Sequence, residues 1–144
     1  MLRDLLTRID ELGGGEGSPV VPLDLFFEGN DDEASFAPNL DPHPGIETVR
    51  GVLQAIEQRR DVSAVLVQID EVLEPPEWPY ASRVYVVTSA PAAEVHRWAA
   101  ALEPDEVSPD ERENDGWGDD GSAGAPPGAP DVPEGHRPVV LFWD

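Results

Sequence analysis

The chain has no cysteine and no lysine, and each absence excludes a class of chemistry. Without cysteine there is no disulfide, no zinc–thiolate site and no thiol nucleophile. Without lysine no phosphate-binding loop of the Walker type can be completed. No apolar run approaches the roughly 20 residues that cross a bilayer, and the first twelve residues mix acids with leucines, unlike a signal peptide. We therefore expect a cytoplasmic protein that has no membrane contact and no cofactor.

Positive charge is also scarce. Thirty Asp and Glu residues oppose nine arginines, which leaves a formal net charge of −21 on 144 residues. A polyanion of this size repels nucleic acid and acidic membranes, and it attracts basic proteins over long distances. The charge balance therefore predicts a basic protein as the partner and disfavours nucleic acid.

Apolar spacing divides the chain into one domain, 1–144, with a folded core and an insertion. Apolar residues spaced three and four apart predict helices at the N-terminus and after a proline break at residues 41–45. Alternating apolar and polar residues and β-branched runs predict strands. Residues 103–136 contain eleven acids, six prolines and six glycines, a composition typical of disorder. The predicted segments are an N-terminal helix (1–12), a Gly-rich joint (13–19), the folded core (20–102 and 137–144) and the disordered acidic insertion (103–136).

Within the core, the order of elements predicts an α+β fold. Omitting the N-terminal helix, the order is strand, helix, strand, strand, helix, strand. Two right-handed crossovers in this order give a ferredoxin-like antiparallel sheet with both helices on one face. Its inner strands would be residues 20–28 and 82–89. The alternative is a five-stranded meander in which a short strand near 35–40 pairs with the first strand.

The predicted topology leaves one sheet face without helices. An apolar face of that size requires a cover. The N-terminal helix is the favoured cover, and a second copy or another partner is the alternative. The residues expected on this face are Phe26, Leu66, Tyr85 and Val87, with some of Val140, Phe142 and Trp143.

Two acidic segments are candidate partner-binding sites. Residues 28–33 concentrate acids at a predicted hairpin turn, and residues 114–120 surround Trp117 with acids and glycines. A lone tryptophan in an acidic run has the composition of a binding anchor, with charge to steer encounter and a ring to hold contact; the alternative is a tryptophan that folds back onto the domain. The candidate residues are Asp31, Asp32, Glu33, Asp115, Trp117, Asp119 and Asp120.

Catalytic and metal-binding patterns are missing from the sequence. His43, His96 and His136 share no metal-ligand spacing, and residues 28–33 lack the spacing of a calcium loop. The serines stand outside any nucleophile motif. We therefore expect three surface histidines, no metal site and no enzymatic activity.

These observations favour a non-catalytic inhibitor of the immunity or antitoxin type, which would neutralise a basic partner such as a nuclease toxin through its acidic surface. The alternative is a regulatory or scaffold module that binds a small ligand, or associates as a homodimer, through its sheet face. A metal-dependent enzyme that uses the acids of residues 28–33 is a third hypothesis.

Overall fold

The computed structural model describes residues 2–14, 19–30, 32, 35–36, 44–72, 77–109, 128 and 133–143. In these ranges the chain forms helices and strands as an α+β fold, which confirms the predicted class. The helices are α1 (Leu2–Glu11), α2 (Leu23–Phe27), α3 (Ile46–Glu57) and α4 (Ala92–Trp98), the last followed by a 3₁₀ turn (Ala100–Leu102). The strands are β1 (Val20–Pro22), β2 (Val62–Glu71), β3 (Tyr80–Thr88), β4 (Glu106–Pro109) and β5 (Arg137–Phe142).

The five strands form one sheet in the order β1-β2-β3-β5-β4. Every neighbouring pair is antiparallel. A ferredoxin-like sheet is also antiparallel, but it would place the first and third strands side by side in its centre and the second and fourth strands at its edges. The predicted strand order is therefore wrong, although β3 does occupy the centre as expected.

The difference begins at β1, which has three residues rather than the nine predicted for 20–28. The segment after it alternates along the chain, but Leu23, Phe26 and Phe27 also follow a helical spacing of three and four residues. All three are buried in α2, directly after Pro22. Because β1 is this short, it lies at the sheet edge and pairs only with β2 among the described residues. A short strand cannot serve as the centre of a crossover fold.

The fifth strand is β4, rather than the segment near 35–40. Of that segment, Phe36 forms a single parallel bridge with Ala81 and is buried. Strand β4 lies within residues 103–136, for which composition predicts no regular structure. It pairs with β5, which gives the edge of the sheet an additional strand.

All four helices contribute side chains to one large core on a single face of the sheet. Helix α3 buries Ile46, Val49, Leu53 and Ile56. Helix α1 packs on this same face through Leu5 and Ile9, so the expectation that it covers the opposite face is wrong. It ends as predicted at the glycines, where the Gly14 amide donates to the Ile9 carbonyl at 2.9 Å and both Gly13 and Gly14 have positive φ.

Two tryptophans tie this core together through hydrogen bonds to backbone carbonyls. Trp143 is buried, and its Nε1 donates to the Leu102 carbonyl at 2.7 Å. Trp78 is also buried in the core, and its Nε1 donates to the Phe26 carbonyl at 2.9 Å. Both indoles are thus satisfied donors, as buried tryptophans require.

Candidate interaction surface

The sheet face opposite the helices presents side chains in rows, because the antiparallel register places residues of adjacent strands side by side. Among the described residues no helix packs on this face. We call it the open face. Two rows cross its three central strands: Gln68, Arg83 and Phe142 form one row, and Leu66, Tyr85 and Val140 form the next.

The side chains of the open face differ in burial. The side chains of Val20 on β1, Leu66 on β2 and Val87 on β3 form a small cluster whose members are at most 6% exposed, and Tyr85 packs against it. Tyr85 on β3 and Phe142 on β5 are themselves half-buried. We call the partly exposed region around these two aromatic residues the β3–β5 half of the open face.

The prediction for this face is correct for most of its residues. Leu66, Tyr85, Val87, Val140 and Phe142 lie where the sequence placed them. Phe26 and Trp143 do not, since both are buried in the large core on the helical side. Phe26 belongs to a helix rather than a strand, and Trp143 follows the last paired residue of β5.

Arg83 organises the polar part of the open face. Its Cζ lies 4.6 Å from the centre of the Phe142 ring, a cation–π distance. One of its guanidinium nitrogens lies 3.8 Å from an oxygen of Asp70. The other oxygen of Asp70 accepts a hydrogen bond from the Ser82 hydroxyl. A carboxylate, a cation and an aromatic ring are thus held together on rigid strands.

Carboxylates gather at the end of the sheet next to this cluster. Asp70 and Glu71 end β2, Glu77 lies between β2 and β3, and the Asp105 amide donates to the Phe142 carbonyl at 2.8 Å just before β4. Strands lie about 4.8 Å apart, so these groups spread across about 14 Å from β2 to β4. We call the acidic end the set Asp70, Glu71, Glu77 and Asp105.

Most of the described arginines lie next to a carboxylate. With Arg83, five arginines of the described chain lie within 4 Å of a carboxylate, so they add little positive potential to the surface. The carboxylates in excess of these pairs give the surface its negative sign. The other four pairs are Arg8–Glu11 (3.8 Å), Arg50–Asp24 (3.7 Å), Arg59–Asp61 (3.5 Å) and Arg97–Glu94.

Of the predicted partner-binding residues, the structure describes Asp32. It lies in a turn after α2, where its amide donates to Asn30 Oδ1 at 2.9 Å and its carbonyl accepts from the Ser35 hydroxyl at 2.6 Å. The turn follows a helix, so the expected hairpin is wrong. Because Asn30 and Ser35 are buried, these contacts make the turn a structural element. Asp31, Glu33, Asp115, Trp117, Asp119 and Asp120 lie outside the described residues.

The two described histidines lie on different elements of the fold. His96 is exposed on α4 and lines a shallow cavity of about 340 Å³ with Ala92, Ala93 and Val107. His136 is half-buried before β5, and His43 lies outside the described residues. In the part of the chain that the structure describes, no three His, Asp or Glu residues form a group suited to a metal ion. Nor does any described helix have the length and apolar character needed to cross a membrane.

One carboxylate has a perturbed acidity, and it lies on the helical side. Burial of Glu57 on α3, with a smaller contribution from the charge of Asp24, raises the pKa of its carboxyl above 4.5. Gln54 donates to Asp24 at 3.2 Å in the same cluster. These contacts join α2 to α3, so the shift reflects packing between helices.

Comparison with known proteins points to one family. The model of the family described as "Uncharacterized protein YfbO family" matches residues 1–141. The relative named "Uncharacterized protein YfbO" of Escherichia coli (strain K12) is 30% identical over 144 residues, which cover 96% of this chain and 96% of that protein. No solved structure matches the chain. The similarity thus extends through the acidic insertion as well as the folded core.

Proposed function

The chain belongs to the YfbO family, and we propose that it is a non-catalytic binding protein that neutralises a cationic protein partner. The supporting observation is the excess of carboxylate over locally paired arginine. The chain has a net charge of −21 on 144 residues. In addition, five arginines lie next to carboxylates of the same chain, which compensate their positive charge. Such a surface accelerates encounter with a basic protein and repels nucleic acid.

The class of function that fits this surface is inhibition of the immunity or antitoxin type. A nuclease toxin presents a basic cleft to phosphate, and an acidic protein can occupy that cleft without turnover. The proposal places the complex in the cytoplasm, because a chain without cysteine gains nothing from an oxidising compartment.

A regulatory or scaffold module is the second candidate function. It is favoured by the aromatic residues Tyr85 and Phe142, which are only partly buried on the open face, since such side chains on rigid strands suit a binding surface. In that case the acidic groups would increase the solubility of the protein, and its affinity for the ligand would depend only weakly on salt concentration.

The experiment that tests the proposal is neutralisation of a defined partner. Proteins retained from cell extract by the purified chain at about 50 mM salt and released at about 500 mM are identified, since surface charges are screened within about 4 Å at the higher salt. Each is then expressed with and without this chain. We expect a basic protein that arrests growth when expressed alone, and growth restored by co-expression.

The rate of association provides the quantitative control. We expect it to fall by at least about tenfold between the two salt concentrations, because steering of opposite charges is screened. An association rate independent of salt, or conversion of a substrate by the purified chain, would exclude the proposed function.

A further inference from the structure

We infer that the cationic partner docks on the β3–β5 half of the open face, against Tyr85 and Phe142, with the acidic end as the charged border of the contact. This inference rests on the proposed function and adds the surface and the chemistry of the contact. The occupant it names is an arginine-bearing segment of the partner.

The aromatic part of this surface is held rigidly. Tyr85 lies on β3, the central strand, and pairs in register with Leu66 on one side and Val140 on the other. Phe142 lies on β5 opposite Arg83. Aromatic residues fixed on paired strands lose little conformational entropy when a partner binds, which is a property of residues that dominate binding energy.

The side chains around Phe142 already bind one guanidinium group, that of Arg83. Arg83 lies over the ring and beside Asp70, whose carboxylate is oriented by Ser82. Arginine binds well where an aromatic ring and a carboxylate are adjacent, because it stacks on one and forms hydrogen bonds with the other. The acidic end supplies three further carboxylates at the same end of the sheet, Glu71, Glu77 and Asp105.

Charge also decides between a partner and a second copy. In a two-fold symmetric dimer through this face, the same patch meets itself. Two chains, each of net charge −21, would then be brought together and repel each other. A cationic segment experiences attraction from the same groups. The charge distribution therefore favours the partner over a homodimer.

The test uses the full chain and a fluorescently labelled arginine-rich peptide as the probe. We expect the double variant Y85A/F142L to weaken peptide binding by at least about tenfold, equivalent to about 1.4 kcal/mol. The matched control is Trp98→Leu. Trp98 is also a half-buried aromatic with an arginine over its ring, Arg59 at 4.0 Å, but it lies on the helical side. Binding should be unchanged in this control.

A second pair of variants separates location from total charge and does not depend on aromatic packing. Glu71 and Glu47 are both exposed, and Glu71→Lys and Glu47→Lys change the net charge equally. Glu71 lies in the acidic end, whereas Glu47 lies on α3. We expect Glu71→Lys to weaken binding at least about threefold more than Glu47→Lys, because only the former lies within a Debye length of the docked peptide.

The outcomes distinguish the two levels of the proposal. If the peptide binds but Y85A/F142L and Glu71→Lys behave like their controls, the docking surface is wrong while the proposed function stands. If the peptide does not bind even at low salt, the proposed function fails as well. If Tyr85→Ala instead abolishes a concentration-dependent dimer of the chain, the occupant of the face is a second copy and the inference is overturned.

Discussion

The two faces of the sheet are built from the same strands but have different compositions. On the helical face, Val67, Val84 and Leu141 are fully buried. On the open face, their chain neighbours Gln68, Arg83 and Phe142 are polar, charged or half-exposed. Since successive residues of a strand point to opposite sides, a single residue step separates the two environments. The helical face therefore contains most of the buried apolar side chains, whereas the open face keeps side chains that are only partly buried.

The difference in packing between the two faces can be tested by shortening one side chain on each face of β5. Leu141→Ala removes a fully buried side chain from the core and should lower the free energy of unfolding by about 2–5 kcal/mol. Val140→Ala, one residue away on the open face, should cost less than about 1 kcal/mol because Val140 is half-buried. Urea unfolding followed by circular dichroism measures both. Equal losses for the two variants would show that the open face is as tightly packed as the core.

At the β1 edge of the sheet, the close packing against Val20 requires a glycine at position 128. Gly128 has a φ of +89°, and a Cβ placed on it would lie 2.4 Å from the Val20 carbonyl oxygen and 2.8 Å from a methyl carbon of Leu12. Gly128→Ala should therefore lower the free energy of unfolding by about 1–3 kcal/mol.

The control for this variant is Gly51→Ala in α3. Gly51 has open space where its Cβ would lie, so alanine should stabilise the helix by up to about 1 kcal/mol. Thermal unfolding of the two variants should give shifts of opposite sign. A neutral Gly128→Ala variant would mean that residue 128 does not pack against β1 in solution.

A smaller effect is expected for the polar cluster on the open face. Arg83→Gln removes the cation from Phe142 and the ion pair with Asp70. Because Arg83 is partly exposed, we expect a loss of less than about 1 kcal/mol in the free energy of unfolding. A loss as large as that of Leu141→Ala would assign Arg83 to the stability of the fold rather than to the accessible surface.

The smallest effect is a pH dependence on the helical side. The pKa of Glu57 is raised above 4.5 by burial, and to a lesser degree by Asp24. Protonated Glu57 is therefore favoured in the folded chain, and its contribution to stability is complete below pH 4.5 and is lost as the pH rises through the raised value. Glu57→Gln should become progressively more stable than the unmodified chain as the pH rises through this window.

Unfolding measured from about pH 4 to about pH 7 tests this expectation. The effect should be modest, because solvent screens the carboxylate of a partly exposed side chain. Asp24→Asn should reduce the pH dependence without abolishing it, since Asp24 is the lesser cause of the shift. If the difference in free energy of unfolding between Glu57→Gln and the unmodified chain is constant across this pH range, the pKa of Glu57 is not raised in the folded chain.

Sequence patterns predicted the long elements well. Strand β3 (Tyr80–Thr88) lies within two residues of its predicted range, 82–89, and helix α3 follows the proline break as expected. Each has a strong local signal, either a helical stripe or a β-branched run. Segment 23–27 was assigned wrongly because its apolar residues satisfy alternation and helical spacing together. Strand β4 has no such signal, since it lies at an edge and carries one apolar side chain, Val107, toward the core.

The candidate surface was predictable in part. Alternation along β2, β3 and β5 correctly indicated Leu66, Tyr85 and Phe142 as residues of the face without helices. The cluster of Arg83, Asp70 and Ser82 was missed, because it forms only when β2 and β3 pair with the observed irregularities in register. The acidic end was missed for the same reason, since Asp70 and Asp105 are distant in the chain.

By itself, the amino-acid sequence determined the charge of this protein, the positions of its long helix and strands, and the alternation that gives the sheet two unlike faces. These depend on composition and on residues close together in the chain. Only the tertiary structure decided the strand order, the packing of α1 on the helical face and the acidic end beside Phe142. Each of these depends on contacts between distant segments, and local periodicity contains no information about which distant segments will pair.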